Sequence, residues 1–310
     1  MSLELKAGVI GIGRLGSIHA RVYIEIPHIK LVGLCDIDIN KAATPANDYN
    51  VKAYSNYRTL IPEVDIVSIA TPTHTHFEIA KYAILQKKHV LIEKPITDNL
   101  RAAKTLIKLA QTKKVILQVG HVERFNSAFL ATQKLALNPR FIECHRLSPF
   151  PNRSLDIGVV FDLMIHDLDI VLGLVHAKIK RIDAIGVSVL TPFEDIANVR
   201  INFKNGCIAN LTASRISEEP LRKIRIFLKD TYISLDYQAQ EAFCYKKEKT
   251  SIIKMPIPIE KDEPIKKEIE SFIVCVRNNK KPVVSGIEAY QALKLATKIR
   301  DAIWRKKSLL

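Results

Sequence analysis

Along the first 120 residues, short apolar runs alternate with amphipathic stretches of helical period, and turn residues separate them. Strands are expected from Leu5 into Gly11, at Lys30–Cys35, around Lys52–Ala53, and at Asp65–Ala70, His89–Glu93 and Val115–Val119. Between them, helices are expected after Gly16, at Lys41–Tyr49, at Phe77–Gln86 and at Asn99–Thr112. Strands that alternate with helices imply right-handed crossovers and a parallel, doubly wound α/β sheet, here a Rossmann domain over residues 1–120. After Gly120 the alternation stops. Arg140–Leu147, Ile179–Leu190, Ile196–Lys204, Cys207–Ser214, Lys223–Lys229 and Tyr232–Tyr237 read as strands of an α+β domain spanning 121–310, with a large, open, mainly antiparallel sheet. The Lys and Glu cluster from Lys246 to Lys267 reads as a solvated connection, and the last helical stretch, Ile287–Arg305, is expected to pack back near the first domain.

One apolar segment carries unexpected charge. In FDLMIHDLDI, residues 161–170, Phe161, Met164, Ile165, Leu168, Val171, Leu172 and Val175 form a core-facing stripe at helical spacing. Asp162, His166 and Asp169 follow i, i+4, i+7 and make a second line along one face, while Asp167 falls outside it, in a solvated place. Titratable groups on a buried helix must be paired or open onto a cleft. The plain alternative is an Asp favoured by the helix dipole and a satisfied core histidine.

Chemistry concentrates at the carboxyl ends of the first domain's strands. Gly11, Gly13, Arg14, Leu15 and Gly16 form a GxGxxG turn between a strand and a helix, and Asp36 ends the next strand. That context fits dinucleotide binding: the glycines let backbone approach the pyrophosphate, and the helix N-terminus offers it unpaired N–H groups. Asp36 suits a ribose 2′-hydroxyl and repels a 2′-phosphate. Ile37 follows it instead of Arg, so NAD is favoured over NADP. Thr71, Pro72 and His76, Glu93-Lys94-Pro95 and Gly120-His121 end the other strands on the same crevice.

Bulk properties narrow the field. A formal net charge of +15 admits a nucleic-acid or membrane surface, yet the Lys and Arg are scattered in pairs, often beside acids, with no aromatic-interleaved basic segment. No nucleic-acid or membrane partner is expected, whereas a positive surface attracts an acidic small molecule. Five widely spaced cysteines (Cys35, Cys144, Cys207, Cys244, Cys275), with no CxxC, suggest reduced thiols in a cytoplasm. The N-terminus shows no signal-peptide pattern.

Taken together, the fingerprint Gly11-x-Gly13-x-x-Gly16-x-x-His19, the turn Ala70-Thr71-Pro72-x-x-x-His76, the tripeptide Glu93-Lys94-Pro95 and the segment Asp162-x-x-x-His166-x-x-Asp169 resemble the glucose-fructose oxidoreductase, inositol dehydrogenase and MocA (Gfo/Idh/MocA) family. Met164 stands where that family usually has Gly. Stretches 121–126, 145–170, 210–217 and 222–227 further resemble UDP-N-acetylglucosamine 3-dehydrogenases, which serve lipid A precursor synthesis. The resemblance implies an NAD-dependent oxidoreductase that oxidises a sugar hydroxyl, with Lys94 as the catalytic, cofactor-orienting lysine, His166 as acid/base and Asp162 as its partner. It also implies a homo-oligomer, dimer or tetramer, formed through the open sheet.

The chemistry suits those roles. Oxidising a secondary alcohol needs a base at the hydroxyl proton while hydride leaves the same carbon. An imidazole, with an ordinary pKa near ~6.5, takes that proton at neutral pH. Lys94 could stabilise alkoxide character at the same oxygen. Thr71, Pro72, His76, Glu93 and His121 are expected near the cofactor, and Arg124, Arg153 and Arg215 are candidates to grip a diphosphate. Asp162, His166 and Asp169 make a poor metal set without a further His or Cys, so no metal is expected. Two alternatives stay open: a free polyol or aldose dehydrogenase, and a noncatalytic dinucleotide sensor, against which the retention of Lys94 and His166 speaks.

Overall fold

The computed structural model describes residues 4–150 and 157–307. It divides into two compact units, Met1–Val122 with Glu263–Tyr290, and Glu123–Asp262 with Gln291–Leu310. This differs from the contiguous split at residue 120. Residues 263–290 return to the first unit because a helix there carries an apolar stripe that the first sheet buries.

The first unit is a six-stranded parallel sheet of order β3-β2-β1-β4-β5-β6. Its strands are β1 (Leu5–Ile10), β2 (Ile29–Cys35), β3 (Lys52–Tyr54), β4 (Ile66–Ile69), β5 (His89–Glu93) and β6 (Leu117–Gly120). The helices between them are α1 (Arg14–Glu25), α2 (Ile39–Asp48), the short α3 (Tyr57–Leu60), α4 (Thr73–Leu85) and α5 (Leu100–Lys113). The order reverses at β1 and β4, and ligands of doubly wound sheets bind outside such a switch point, at the strands' carboxyl ends. Val9, Leu31, Leu34, Ile66 and Leu91 pack against Val22 and Tyr23 of α1. Phe272 and Ile273 of α8 (Pro264–Asn278) complete that layer.

In the second unit, α6 (Ser127–Thr132), α7 (Ile165–Leu174) and residues from Ala292 onward of α9 (Gly286–Lys307) share one core with an eight-stranded sheet. The strands are β7 (Phe141–Leu147), β8 (Ile179–Val187), β9 (Ile196–Phe203), β10 (Ile208–Ser214), β11 (Leu221–Phe227), β12 (Thr231–Asp236), β13 (Glu241–Glu248) and β14 (Ser251–Pro256). Their order is β14-β13-β12-β11-β7-β10-β9-β8, antiparallel except where β10 runs parallel to β7. Alternation selects the core face: Ile142, Cys144, Val199, Ile201, Leu211, Ile224 and Ile233 point inward. The other face carries an aromatic ladder in which Phe141, Phe227, Tyr232 and Tyr245 stack across neighbouring strands.

Two expectations change here. The segment from Lys246 to Lys267 is no solvated connection, since β13 and β14 form a hairpin and α8 follows. Every residue of β14 is exposed, so this strand is held by ladder hydrogen bonds to β13 instead of by burial. Ile287–Arg305 belongs mainly to the second unit, because Ala292, Leu295, Ala296, Ile299 and Ile303 join that core.

Candidate functional site

The glycine-rich turn is built by contact. A Cβ on Gly16 would lie 1.8 Å from the Gly11 carbonyl oxygen, and Gly11 holds φ +89°, a left-handed conformation that L side chains rarely adopt. Around Gly13, by contrast, a Cβ would meet nothing within 4 Å. Gly13 caps α1 without any side-chain hydrogen bond, and no acidic residue stands in the helix's first turn. An uncapped helix start with open space beside it fits the diphosphate of a dinucleotide. At the end of β2, the Asp36 carboxylate accepts from Ile12 N–H at 2.8 Å and Asp38 N–H at 3.0 Å, which fixes it against the turn. Ile37 beside it is 96% exposed. Arg14 is exposed and Leu15 half-buried.

Two expected cofactor loops are tied together by His76. It is buried, and its ring nitrogens lie 2.9 Å from the carbonyl oxygens of Pro95 and Thr71. A neutral ring donates to one of the two, and burial, the largest influence, holds this imidazole below its ordinary pKa. Thr71 also receives a hydrogen bond from Thr75 at 2.7 Å, and Pro72 precedes the first turn of α4. His76 therefore sets the spacing between the Thr71 turn and the Glu93-Lys94-Pro95 turn.

Glu93 faces inward. Its Oε1 lies 3.2 Å from Nε2 of the buried His19, and its carboxylate fills the space that a Cβ on Gly120 would need. His19 Nδ1 lies 3.1 Å from Ser68 Oγ, which lies 2.8 Å from the Tyr23 hydroxyl. This chain explains why a His three residues beyond the glycine turn accompanies the EKP tripeptide: α1, β4 and β5 meet in one polar cluster. Lys94 is half-buried at the strand end, and His121, after β6, is buried. Ser68 and Tyr23 of this cluster were not singled out by sequence, nor was Glu268 of α8, one of whose carboxylate oxygens lies within 4.8 Å of Glu93 and His19. Glu268 was findable, because it interrupts the apolar spacing Ile265, Ile269, Phe272.

In the second unit, the 161–175 segment divides. Val160–Met164 forms a π turn, and α7 begins at Ile165, so Asp162 lies on a wider turn than the 3.6 spacing assumes. Asp162 and His166 are half-buried. Asp169 is not part of an open row. Arg124 grips it from Nε at 2.6 Å and Nη2 at 3.1 Å and also donates to its carbonyl oxygen at 2.8 Å. The guanidinium lies over Gly173, where a Cβ would stand 2.1 Å from Nη1. Asp167 is not solvated: it is 3% exposed and takes two hydrogen bonds from Arg146, each 2.9 Å, while Arg146 also reaches Glu123 at 2.8 Å. Sequence pattern missed this buried triad because its members lie on different elements.

The expected arginines fare differently. Arg153 lies outside the described residues. Arg124 turns its fork toward Asp169. Arg215 is fully buried, donating to Asp195 at 2.8 Å, to the Ile157 carbonyl oxygen at 2.8 Å and to Thr191 Oγ1 at 2.7 Å. A guanidinium enclosed in this way braces the fold, and the diphosphate grip expected of it does not fit. The five cysteines are free, and burial pushes the Cys35 thiol up to about 12 and that of Cys207 up to about 11, which leaves neither as a nucleophile at neutral pH.

Comparison with known proteins bears on the family and the fold. Residues 5–121 match the family model described as "Oxidoreductase family, NAD-binding Rossmann fold", and residues 119–233 match the GFO/IDH/MocA C-terminal domain. The UDP-N-acetylglucosamine 3-dehydrogenase of Acidithiobacillus ferrooxidans is 36% identical over 97% of this chain and 98% of its own length. Its solved structure superposes with a TM-score of 0.92 over 96% of this chain and 97% of that one. The scyllo-inositol 2-dehydrogenase (NAD(+)) of Bacillus subtilis is 28% identical over 93% of this chain and 91% of its own. A levoglucosan dehydrogenase solved with NADH shares the fold, with a TM-score of 0.89 at 20% identity over 97% of each chain. With both of its domain models matched and a relative similar from end to end, this chain belongs to the Gfo/Idh/MocA family of NAD-binding oxidoreductases.

Proposed function

We propose that the protein oxidises a secondary hydroxyl of a nucleotide-linked aminosugar, the 3-hydroxyl of UDP-N-acetylglucosamine, to a 3-keto sugar with NAD. The observation that carries this reading is the end-to-end likeness, at 36% identity, to an enzyme of that name. NAD, when bound, accepts the hydride. Gly11 to Gly16 and the start of α1 hold its diphosphate, and Asp36 receives its ribose hydroxyls. Thr71, Pro72, His76, Glu93 and His121 shape the ends of strands beside it. His166 removes the hydroxyl proton with Asp162 orienting the ring, and Lys94 donates a hydrogen bond to the same oxygen as it gains negative charge. Arg153 and Arg124 are the remaining candidates for the diphosphate. The protein works in the cytoplasm as a homo-oligomer, and the aromatic ladder on the outer face of the second sheet supports association there.

The deciding assay follows NADH absorbance with purified protein, NAD and UDP-N-acetylglucosamine, with glutamate and a PLP-dependent aminotransferase added to draw off the ketone. Formation of NADH that requires the nucleotide sugar is the expected result. No signal with the nucleotide sugar, together with NADH formation on an inositol, would favour the free-polyol reading, for which the 28% likeness to the B. subtilis inositol enzyme speaks.

Cofactor choice has its own test. Direct titration is expected to show NAD binding more tightly than NADP, because the fixed Asp36 carboxylate repels a 2′-phosphate, and Asp36→Ala is expected to narrow the gap. Equal affinities in the unsubstituted protein would overturn the assignment.

A further inference from the structure

Glu268 of α8 is fully buried on that helix's apolar stripe, and no N–H or hydroxyl of the described residues donates to either of its carboxylate oxygens. One of those oxygens, one of Glu93 and a ring nitrogen of His19 all lie within 4.8 Å of one another. The groups that face this cluster are His19 and Tyr23 from α1, Ser68 from β4, His76 from α4, Gln118 from β6, and Glu93 with Lys94 at the end of β5.

Two carboxylates this close and this well buried do not both stay ionised. The hydrogen bonds indicate which one keeps the charge. If the Tyr23 hydroxyl donates to Ser68, and Ser68 to His19 Nδ1, the remaining imidazole proton sits on Nε2 and points at Glu93. Glu93 also accepts from the Lys94 N–H at 3.3 Å. It therefore has donors suited to an anion, and Glu268 has none. Burial and the charge of Glu93 push Glu268 well above the ordinary carboxylate range. Burial alone would raise Glu93 too, but the hydrogen bond from His19 and the positive charge of Lys94 hold it below that range.

We propose that Glu268, as a neutral carboxylic acid, shares its proton with ionised Glu93, and that the pair acts as one buried negative charge positioning the Lys94 ammonium. Glu268 is then a positioning residue that acts through Glu93, and this last step rests on the role given to Lys94 above. The same three side chains are of the type that binds a divalent cation, but that would require Glu268 ionised and His19 Nε2 bare.

Infrared difference spectroscopy of the full-length protein against Glu268→Gln at neutral pH separates these states. The expected result is a protonated-carboxyl band in the unsubstituted protein that shifts in deuterated water and is missing from the variant. Its absence, or a stoichiometric divalent metal found by elemental analysis, would overturn the shared proton. Turnover tests the positioning. Glu268→Leu removes the donor and is expected to lower kcat about tenfold, whereas Glu268→Gln, which keeps an N–H for Glu93, recovers most of it. Equal losses in the two variants would overturn the positioning role. The infrared and metal results stand without any sugar substrate, so they remain decisive if the assigned sugar proves wrong.

Discussion

Replacing His166 by alanine is expected to lower kcat about 10²–10⁴-fold, the usual contribution of a positioned general base, while NADH affinity stays near that of the unsubstituted protein. The split follows from the fold. The glycine turn, Asp36 and the Thr71 turn are all formed by residues of the first unit, and His166 stands at the start of α7 in the second. His166 is half-buried, so alanine removes no large part of the core that Ile165, Leu168 and Val171 supply on the same helix. Initial rates of NADH formation and fluorescence titration with NADH measure the two quantities separately. An unaffected rate would remove His166 from the mechanism. A rate that falls together with NADH affinity would point to a structural effect.

Much of this site could be read before any coordinates. β5 spans His89–Glu93 as expected, because a fully buried parallel strand is a continuous apolar run ending where the chain must turn. Gly11 and Gly16 were legible because steric demands there leave glycine alone possible, and Asp36 because it stands at the end of the strand that follows the turn. Other features were not. Nothing in the spacing of residues 160–169 announces a π turn, so Asp162, His166 and Asp169 read as one continuous line although Arg124 draws Asp169 into the interior. Asp167 looked solvated because its partner Arg146 is a strand residue 21 positions away. Long-range ion pairs leave no periodic trace, and sequence rules about charge assume water as the partner. β14 escaped detection for a related reason, since the lysines before it, Lys246, Lys247 and Lys249, made an edge hairpin look like a connection.

Arg215 poses the same question in a form that stability can answer. If it gripped a substrate, Arg215→Ala would raise KM and leave folding alone. The geometry predicts the reverse: loss of about 3–5 kcal/mol of stability, the cost of leaving a buried ion uncompensated, and little change in KM for the protein that remains folded. Asp195 explains the size of the effect. It is fully buried, and besides Arg215 it accepts from the N–H groups of Val189, Leu190 and Thr191 at 2.7, 2.7 and 3.0 Å and from the Thr191 hydroxyl at 2.7 Å. Burial opposes its charge, but these donors prevail and hold its carboxyl well below the usual range. A depressed carboxylate stabilises the fold above its unfolded pKa, about 3.9, and that contribution is lost as the pH falls toward the lower folded value. Thermal melts should therefore show Arg215→Ala well below the unsubstituted protein at neutral pH, with the gap narrowing only in strong acid, where the unsubstituted protein loses the pair as well. Arg215→Lys should recover little, since one ammonium cannot serve three separate acceptors in the fixed directions of the guanidinium. A melt unchanged by Arg215→Ala, with a raised KM for the nucleotide sugar, would return Arg215 to the substrate.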